Sequence, residues 1–274
     1  MNGNAEEAVH DEQSMSTLDT ASTVIYRVVL PVICTFGIVG ILLTLVVLSR
    51  KSMRTSTNCY LMALSVADLA FLVLIASLFV HSAAHHSESF QIYAVYAAIM
   101  ANVTLMASIW LTVVLAIERY VAICRPFLAA RVCTIRVAVT AIGVVFVLAL
   151  ASRLPNFWEH RITWYRDPTS NNRSVAYVEM TELAFNYVYV RLYPWLVDAV
   201  LASVVPFVAL LVLNASLVRE VRRSTHYLQH HTASVSTTVQ REELQISIML
   251  ISIVVVFFIC QVSLAIRVLL CKSF

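Results

Sequence analysis

The sequence predicts an all-α membrane protein, a bundle of apolar helices that each cross a bilayer. Hydrophobic residues make up 60% of the 274 residues and charged residues only 13%, whereas a soluble domain is about half apolar and about a quarter charged. Apolar runs of about 20 residues recur along the chain, and a helix of that length spans the hydrocarbon core. The runs lack the alternating pattern of a membrane β-strand, and a helix satisfies its own backbone hydrogen bonds in lipid.

Six spans follow from the positions of the apolar runs. They cover approximately residues 24–48, 59–80, 92–124, 135–152, 193–217 and 246–270. Residues 1–23 form a polar, acidic N-terminal tail without the apolar segment of a cleavable signal peptide. The first span is therefore expected to serve as the signal anchor.

Basic residues predict the orientation of the spans. They are concentrated in the loops after the first, third and fifth spans, which hold Arg50, Lys51, Arg54, Arg125, Arg131, Arg219, Arg222 and Arg223. No Lys or Arg precedes Arg27 in the acidic tail. Since basic loops stay in the cytosol, we expect a multi-pass plasma-membrane protein with an extracellular N-terminus. The net charge of +3 reflects this asymmetry and indicates no nucleic-acid partner.

Two features concern the outer surface. Among the six cysteines, Cys271 alone falls near the predicted outer face, so no extracellular disulfide within the chain is expected. The long loop between the fourth and fifth spans contains Asn172-Arg173-Ser174, which matches an N-glycosylation sequon. Asn172 is thus a candidate glycosylation site.

Four charged residues in or at the ends of spans are candidate functional residues, because a charge inside a membrane costs a few kcal/mol. Asp68 lies in the middle of the second span and Asp198 in the fifth, while Glu118 and Arg119 lie near the end of the third. An alternative for Asp68 is a protonated or water-bonded core carboxyl group. For the Glu118–Arg119 pair, the alternative is a charged helix end that reaches the interface.

Several segments resemble one family, in the correct order along the chain. The segment IERYVAICRPF, at 117–127, resembles the Glu-Arg-Tyr segment of rhodopsin-like (class A) G protein-coupled receptors. Similar matches are TSTNCYLMALSVADL in the second span, VVPFVALLVLN in the fifth and VVVFFICQVS in the sixth. The segments SIWLTVVLAIERY, FICQ and LVLN are most similar to receptors for FMRFamide-type invertebrate neuropeptides. The resemblance implies a neuropeptide ligand and a heterotrimeric G protein as partners.

The resemblance also implies an activation switch. In the family, the arginine of the triplet is held by the adjacent acid and by an acid at the foot of the sixth helix, and activation releases it. Here those residues are Arg119, Glu118 and Glu243. Asp68 matches the family's sodium- and water-binding acid. The remaining positions of the predicted switch are Tyr120, Pro206 and Phe257.

The expected ligand site lies between the spans. Ala101 occupies the position of the acid that amine receptors carry, which favours a peptide over an amine. The predicted site residues are Asn102, Asp198, Gln261 and Arg267. Asp198 is the candidate anchor for a basic ligand group such as the arginine of an RF-amide peptide. The alternatives are a structural ion pair of Asp198 with Arg191 or Arg267, and a hydrogen bond from Asn102 to a neighbouring helix.

The sequence also bears on functions other than that of a receptor. No seventh span is predicted before Phe274, so the main alternative is a truncated six-helix isoform that does not signal and acts by forming a dimer with a full-length receptor. A transporter is less favoured, since the chain has four glycines and no internal repeat. All eight histidines fall in predicted tails or loops, and no enzyme site, metal site or cofactor is predicted.

Overall fold

The structure is a computed structural model that describes residues 29–50, 55–82, 88–166 and 174–229. Several predictions lie outside the described residues, namely the sixth span and the residues Asn172, Glu243, Phe257, Gln261 and Arg267. The N-terminal tail lies outside them as well.

The described chain is a bundle of long apolar helices. Its helices before the long loop are α1 (Leu30–Leu48), α2 (Ser56–Ser82), α3 (Glu88–Cys124), α4 (Pro126–Val132) and α5 (Ile135–Trp158). After the loop come α6 (Glu182–Phe185), α7 (Tyr187–Pro194), a π-helical segment (Trp195–Val204) and α8 (Val205–Gln229). Among the described residues, five segments are long and apolar enough to cross a membrane: Pro31–Leu48, Ser56–Leu78, Phe90–Cys124, Ile135–Trp158 and Tyr187–Glu220. The predicted all-α membrane class is confirmed.

Local sequence explains where the helices near the loops begin. Thr134 precedes α5, and its side chain accepts a hydrogen bond from the Val137 N–H at 3.4 Å, which satisfies a donor that the helix leaves without a partner. Asn186 does the same for α7. Pro126 opens α4, a position where the missing proline N–H costs nothing.

Helix α3 forms the centre of the bundle. It contacts α2, α5 and α8, and it contributes most of the core. Its fully buried side chains include Met106, Ala107 and Leu111. Small residues such as Ala67 on α2 and Ala149 on α5 are buried against it, which allows helix backbones to approach closely.

Helix α1 lies at the edge of the bundle. It packs against α2 and leaves large apolar side chains such as Phe36 and Leu43 exposed. In a membrane such a surface faces lipid. Gly37 packs closely against α2, since an added Cβ atom would meet Leu72 Cδ1 at 2.8 Å.

A β-hairpin occupies the loop between α5 and α6, and the sequence analysis did not predict it. Strands β1 (His160–Arg166) and β2 (Ser174–Met180) pair antiparallel, with His160 opposite Met180 and Arg166 opposite Ser174. Both strands contain β-branched and aromatic residues, which favour extended structure. The Thr181 N–H donates to the Glu159 carbonyl at 2.9 Å, and β2 contacts α3. The hairpin is therefore attached to the bundle at the end of α5.

The turn before Pro206 is wider than an α-helical turn. Pro206 has no N–H, and its ring clashes with the carbonyl four residues earlier in a regular helix. The chain forms the π-helical segment immediately before it, with the Val205 N–H donating to the Val200 carbonyl. The Ser203 hydroxyl also donates to the Asp198 carbonyl at 3.0 Å. Asp198 thus lies in a widened turn whose backbone is held by local hydrogen bonds.

Candidate functional site

Polar side chains form one cluster at each end of the bundle. The Glu118 end comprises Ser56, Glu118, Arg119 and Cys133, where α2 begins and α3 ends. The Asp198 end comprises Ser152, Arg153, Glu159, Tyr189, Tyr193 and Asp198, where α5 ends and α7 passes into the π-helical segment. Asp68 lies between the two ends.

Glu118 is buried at its end of the bundle, with 8% of its surface exposed. The Ser56 hydroxyl on α2 donates a hydrogen bond to Glu118 Oε1. The second oxygen, Oε2, is also buried and has no hydrogen-bond partner among the described residues. The carboxyl group is therefore half satisfied, a state that costs free energy in a buried site.

The predicted pairing of Glu118 with Arg119 is not what the structure contains. Among the described residues, no ion pair joins Arg119 to an acid, and Arg119 is half-buried. Successive residues on a helix point about 100° apart because there are 3.6 residues per turn. Glu118 faces α2, and its partner there is Ser56.

Cys133 follows α4 and packs beneath the same glutamate. Its Sγ lies 3.9 Å from the Glu118 carbonyl oxygen. Burial raises the pKa of the Cys133 thiol, the Glu118 carboxylate raises it further, and Arg119 acts in the opposite direction. Cys133 is thus a natural reporter of charge at the Glu118 end.

Asp68 joins α2 to α3 in the middle of the bundle. The Ser108 hydroxyl donates to Asp68 Oδ1 at 2.5 Å. Sequence reasoning found the acid but missed its partner. The available signal was weak, because a serine in an apolar span more often donates to a carbonyl of its own helix, as Ser77 does to the Leu74 carbonyl.

Asp198 is paired, but with neither of the two arginines expected from the sequence. Arg153 Nη2 lies 2.7 Å from Asp198 Oδ1. The two alternatives given above were Arg191, whose Nη1 instead donates to the Tyr187 hydroxyl at 3.1 Å, and Arg267, which lies outside the described residues. Arg153 was missed because the fourth span was expected to end at residue 152. Helix α5 instead continues through Pro155 to Trp158 and carries Arg153 into the bundle.

Two tyrosines support the same contact between the fourth and fifth spans. The Tyr193 hydroxyl donates to the Ser152 carbonyl at 2.7 Å, and the Tyr189 hydroxyl donates to Glu159 Oε1 at 2.5 Å. Their rings stack with centroids 5.0 Å apart. Tyr193 therefore faces α5.

The remaining predicted residues are placed as follows. Asn102 Nδ2 donates to the Ala98 carbonyl of its own helix at 3.0 Å, so its partner is not on a neighbouring helix. Pro206 is fully buried and Tyr120 is half-buried. Among the described residues, no hydrogen bond joins Asn102 to Asp198, and the ligand site and the switch stay predictions because Gln261, Arg267, Glu243 and Phe257 lie outside those residues.

The sequence of the chain matches a family of known proteins. The profile of the family described as "7 transmembrane receptor (rhodopsin family)" matches residues 39–273. The FMRFamide receptor of Drosophila melanogaster is 27% identical over 241 residues, which are 84% of this chain and 43% of that protein. The sex peptide receptor of the same organism is 25% identical over 261 residues, 88% of this chain and 59% of that protein.

A vertebrate relative extends the comparison. The thyrotropin-releasing hormone receptor of Gallus gallus is 35% identical over 183 residues, 61% of this chain and 44% of that protein. The chain spans about half the length of these relatives. The family profile covers most of the chain, and the membrane-length helices agree with it. The chain is a multi-pass membrane protein that belongs to the rhodopsin family of seven-transmembrane receptors.

Proposed function

We propose that the protein is a G protein-coupled receptor for a neuropeptide of the RF-amide type. The observation that carries this proposal is the likeness to a relative called FMRFamide receptor over most of the chain. The relatives called sex peptide receptor and thyrotropin-releasing hormone receptor also support a peptide ligand. In this proposal the N-terminus is extracellular, Asn172 carries an N-linked glycan, and the Asp198 end faces the peptide.

The exposed carboxylate of Asp198 is the proposed contact for a basic group of the peptide. Its side chain is 56% exposed, which leaves surface for a partner besides Arg153, and a guanidinium forms strong charge-assisted hydrogen bonds with a carboxylate. Asn102, Gln261 and Arg267 complete the proposed ligand site.

The Glu118 end is the proposed cytosolic switch. Arg119 is half-buried and, among the described residues, not held by an acid, so it is a candidate contact for a heterotrimeric G protein. Glu118 has one oxygen bonded to Ser56 and one without a partner. A carboxyl group in this condition can change partners between two states of the bundle, and ligand binding can bias such an equilibrium.

Further residues complete the proposed switch between the two ends. Asp68 links α2 to α3 through Ser108, and Pro206 terminates the π-helical segment that carries Asp198. Glu243, Tyr120 and Phe257 are the remaining proposed members. Helices α3 and α8 are in contact. In the proposed mechanism, a movement at the Asp198 end changes how α8 packs against α3.

The proposal is tested by expressing the chain in cells that report G protein activation. We expect a concentration-dependent response to Phe-Met-Arg-Phe-NH2, and loss of that response in Arg119→Gln with unchanged amounts of receptor at the surface. A matched control is Arg136→Gln, since Arg136 lies at the start of α5, outside the proposed switch. Absence of any response to amidated peptides, with the receptor verified at the surface, would contradict the proposed function.

A further inference from the structure

We propose that Arg153 is a positioning residue for Asp198: it holds one carboxylate oxygen from inside the bundle and directs the other toward the ligand. The inference rests on the proposed function for the identity of the ligand. The contact between the two residues is a property of the protein alone, and it can be measured without any ligand.

The burial of the two partners is unequal. The Arg153 side chain is 6% exposed, whereas that of Asp198 is 56% exposed. Asp198 therefore has surface left for a further partner, whereas Arg153 has almost none. The ion pair uses Nη2 and Oδ1, and Asp198 Oδ2 has no donor among the described residues. That oxygen remains available as an acceptor.

The backbone that carries each partner is also held in place. On the side of Asp198, the π-helical turn and the Ser203 hydroxyl fix the carbonyl of the same residue. On the side of Arg153, the neighbouring Ser152 carbonyl accepts from Tyr193. The ion pair therefore lies on backbone that one local and one interhelical hydrogen bond hold in place, as a pre-organised binding group requires.

A purely structural role does not explain the use of charge here. Replacing a buried ion pair with apolar residues of similar volume is often neutral or stabilising. An ionisable side chain inside a membrane span is costly and usually marks a functional position. Arg153 is almost completely buried and its Nε has no hydrogen-bond partner among the described residues, so it is held at a cost. Orientation of the exposed carboxylate accounts for keeping it.

The Arg153–Asp198 pair also sets the charge that a ligand meets. Alone, Asp198 would present a full negative charge, but the buried guanidinium cancels much of it. A basic ligand group that binds Oδ2 then shares the carboxylate with Arg153, each using a different oxygen. The geometry points to a three-membered arrangement in which Arg153 and the ligand guanidinium flank Asp198.

The ligand-free test measures the reactivity of the Asp198 carboxylate. The purified receptor is labelled with a carbodiimide and glycine ethyl ester, and the modified carboxyl groups are quantified by mass spectrometry. In Arg153→Gln we expect labelling of Asp198 to rise severalfold, because its carboxylate is no longer held by a cation. Labelling of Glu179, an exposed carboxylate on β2, serves as the internal control and should not change.

Equal labelling of Asp198 in the wild type and in Arg153→Gln would overturn the inference. Should Arg153→Gln fail to accumulate, the same measurement is made on Arg153→Leu. Leucine also removes the cation, so a severalfold rise in labelling of Asp198 supports the inference and no rise overturns it.

The ligand-dependent test separates positioning from simple structural support. Wild type and Arg153→Gln are compared with Phe-Met-Arg-Phe-NH2 and with the same peptide carrying neutral citrulline in place of arginine. We expect Arg153→Gln to lose about tenfold in affinity for the arginine peptide and little for the citrulline peptide, since coupling is a ratio of affinities. Equal losses for both peptides would show that Arg153 is structural only.

The two proposals fail in distinguishable ways. If the wild type responds to neither peptide, the proposed ligand is wrong, while the labelling experiment still decides whether Arg153 holds Asp198. If the wild type responds but the labelling of Asp198 does not depend on Arg153, the proposed function stands and the positioning role is wrong.

Discussion

The two ends of the bundle each bury one charged or ionisable group, but they satisfy it differently. At the Asp198 end, the buried Arg153 is matched by a carboxylate at 2.7 Å. At the Glu118 end, the buried carboxyl group receives one hydrogen bond from the neutral Ser56 and keeps an oxygen without a partner among the described residues. The Asp198 end therefore holds a matched ion pair, whereas the Glu118 end leaves one acceptor unmatched among the described residues.

This difference agrees with the two proposed roles, a ligand site at the Asp198 end and a switch at the Glu118 end. A ligand site benefits from groups that are already oriented before the ligand arrives. A switch requires two arrangements that differ by only a few kcal/mol, so a half-satisfied group is suited to it. Three measurements test the comparison.

The largest expected effect comes from Asp198→Ala. This change leaves the buried Arg153 charge unpaired, which costs about 3–5 kcal/mol in the free energy of unfolding. Arg153→Leu removes the buried charge and leaves only the half-exposed Asp198 carboxylate without its partner, so it should cost about 1 kcal/mol or less. Thermal unfolding of the purified variants in detergent measures both. Equal losses would show that the unequal burial of the partners has no energetic consequence.

A smaller effect is expected from Ser56→Ala at the other end. The change removes the hydrogen bond to Glu118 and leaves a buried carboxyl group without any donor among the described residues, which costs about 1–3 kcal/mol. Thr140→Ala is the matched control, because the Thr140 hydroxyl donates to the Arg136 carbonyl of its own exposed helix face; it should change stability by about 0.5 kcal/mol or less. If the two variants unfold alike, the Ser56–Glu118 contact does not stabilise this end.

The third measurement, alkylation of Cys133, has the smallest expected effect on stability. It reports directly on the charge of Glu118 next to the thiol. Burial and Glu118 raise the pKa of its thiol above the usual range, so the reactive thiolate is scarce at neutral pH. Alkylation should be slow and should accelerate at a higher pH than for an exposed cysteine. Glu118→Gln removes a negative charge, lowers the Cys133 pKa and should speed alkylation at a given pH. Cys133→Ser identifies the labelled site by mass spectrometry.

An unchanged alkylation rate in Glu118→Gln would contradict this prediction, because it would show that Glu118 does not govern the reactivity of the Cys133 thiol.

The class of the protein and several site positions were accessible from the sequence because they depend on local composition. Apolar runs of membrane length predict helices whatever their neighbours are, and the acids within them are visible as costly exceptions. The β-hairpin and the extension of α5 to Trp158 were not predicted. A proline and an arginine near the end of an apolar run normally indicate its end, and here tertiary packing overrides that local signal.

The sequence by itself determined that the protein is a helical membrane protein of the rhodopsin-like type, and that Asp68, Glu118 and Asp198 are unusual. The tertiary structure alone decided their partners, which are Ser108, Ser56 and Arg153 in that order. The reason is physical: the separation along the chain is 40 residues for Ser108–Asp68 and 62 for Ser56–Glu118. Contacts over such separations depend on how helices pack and rotate against each other, and no local pattern encodes that.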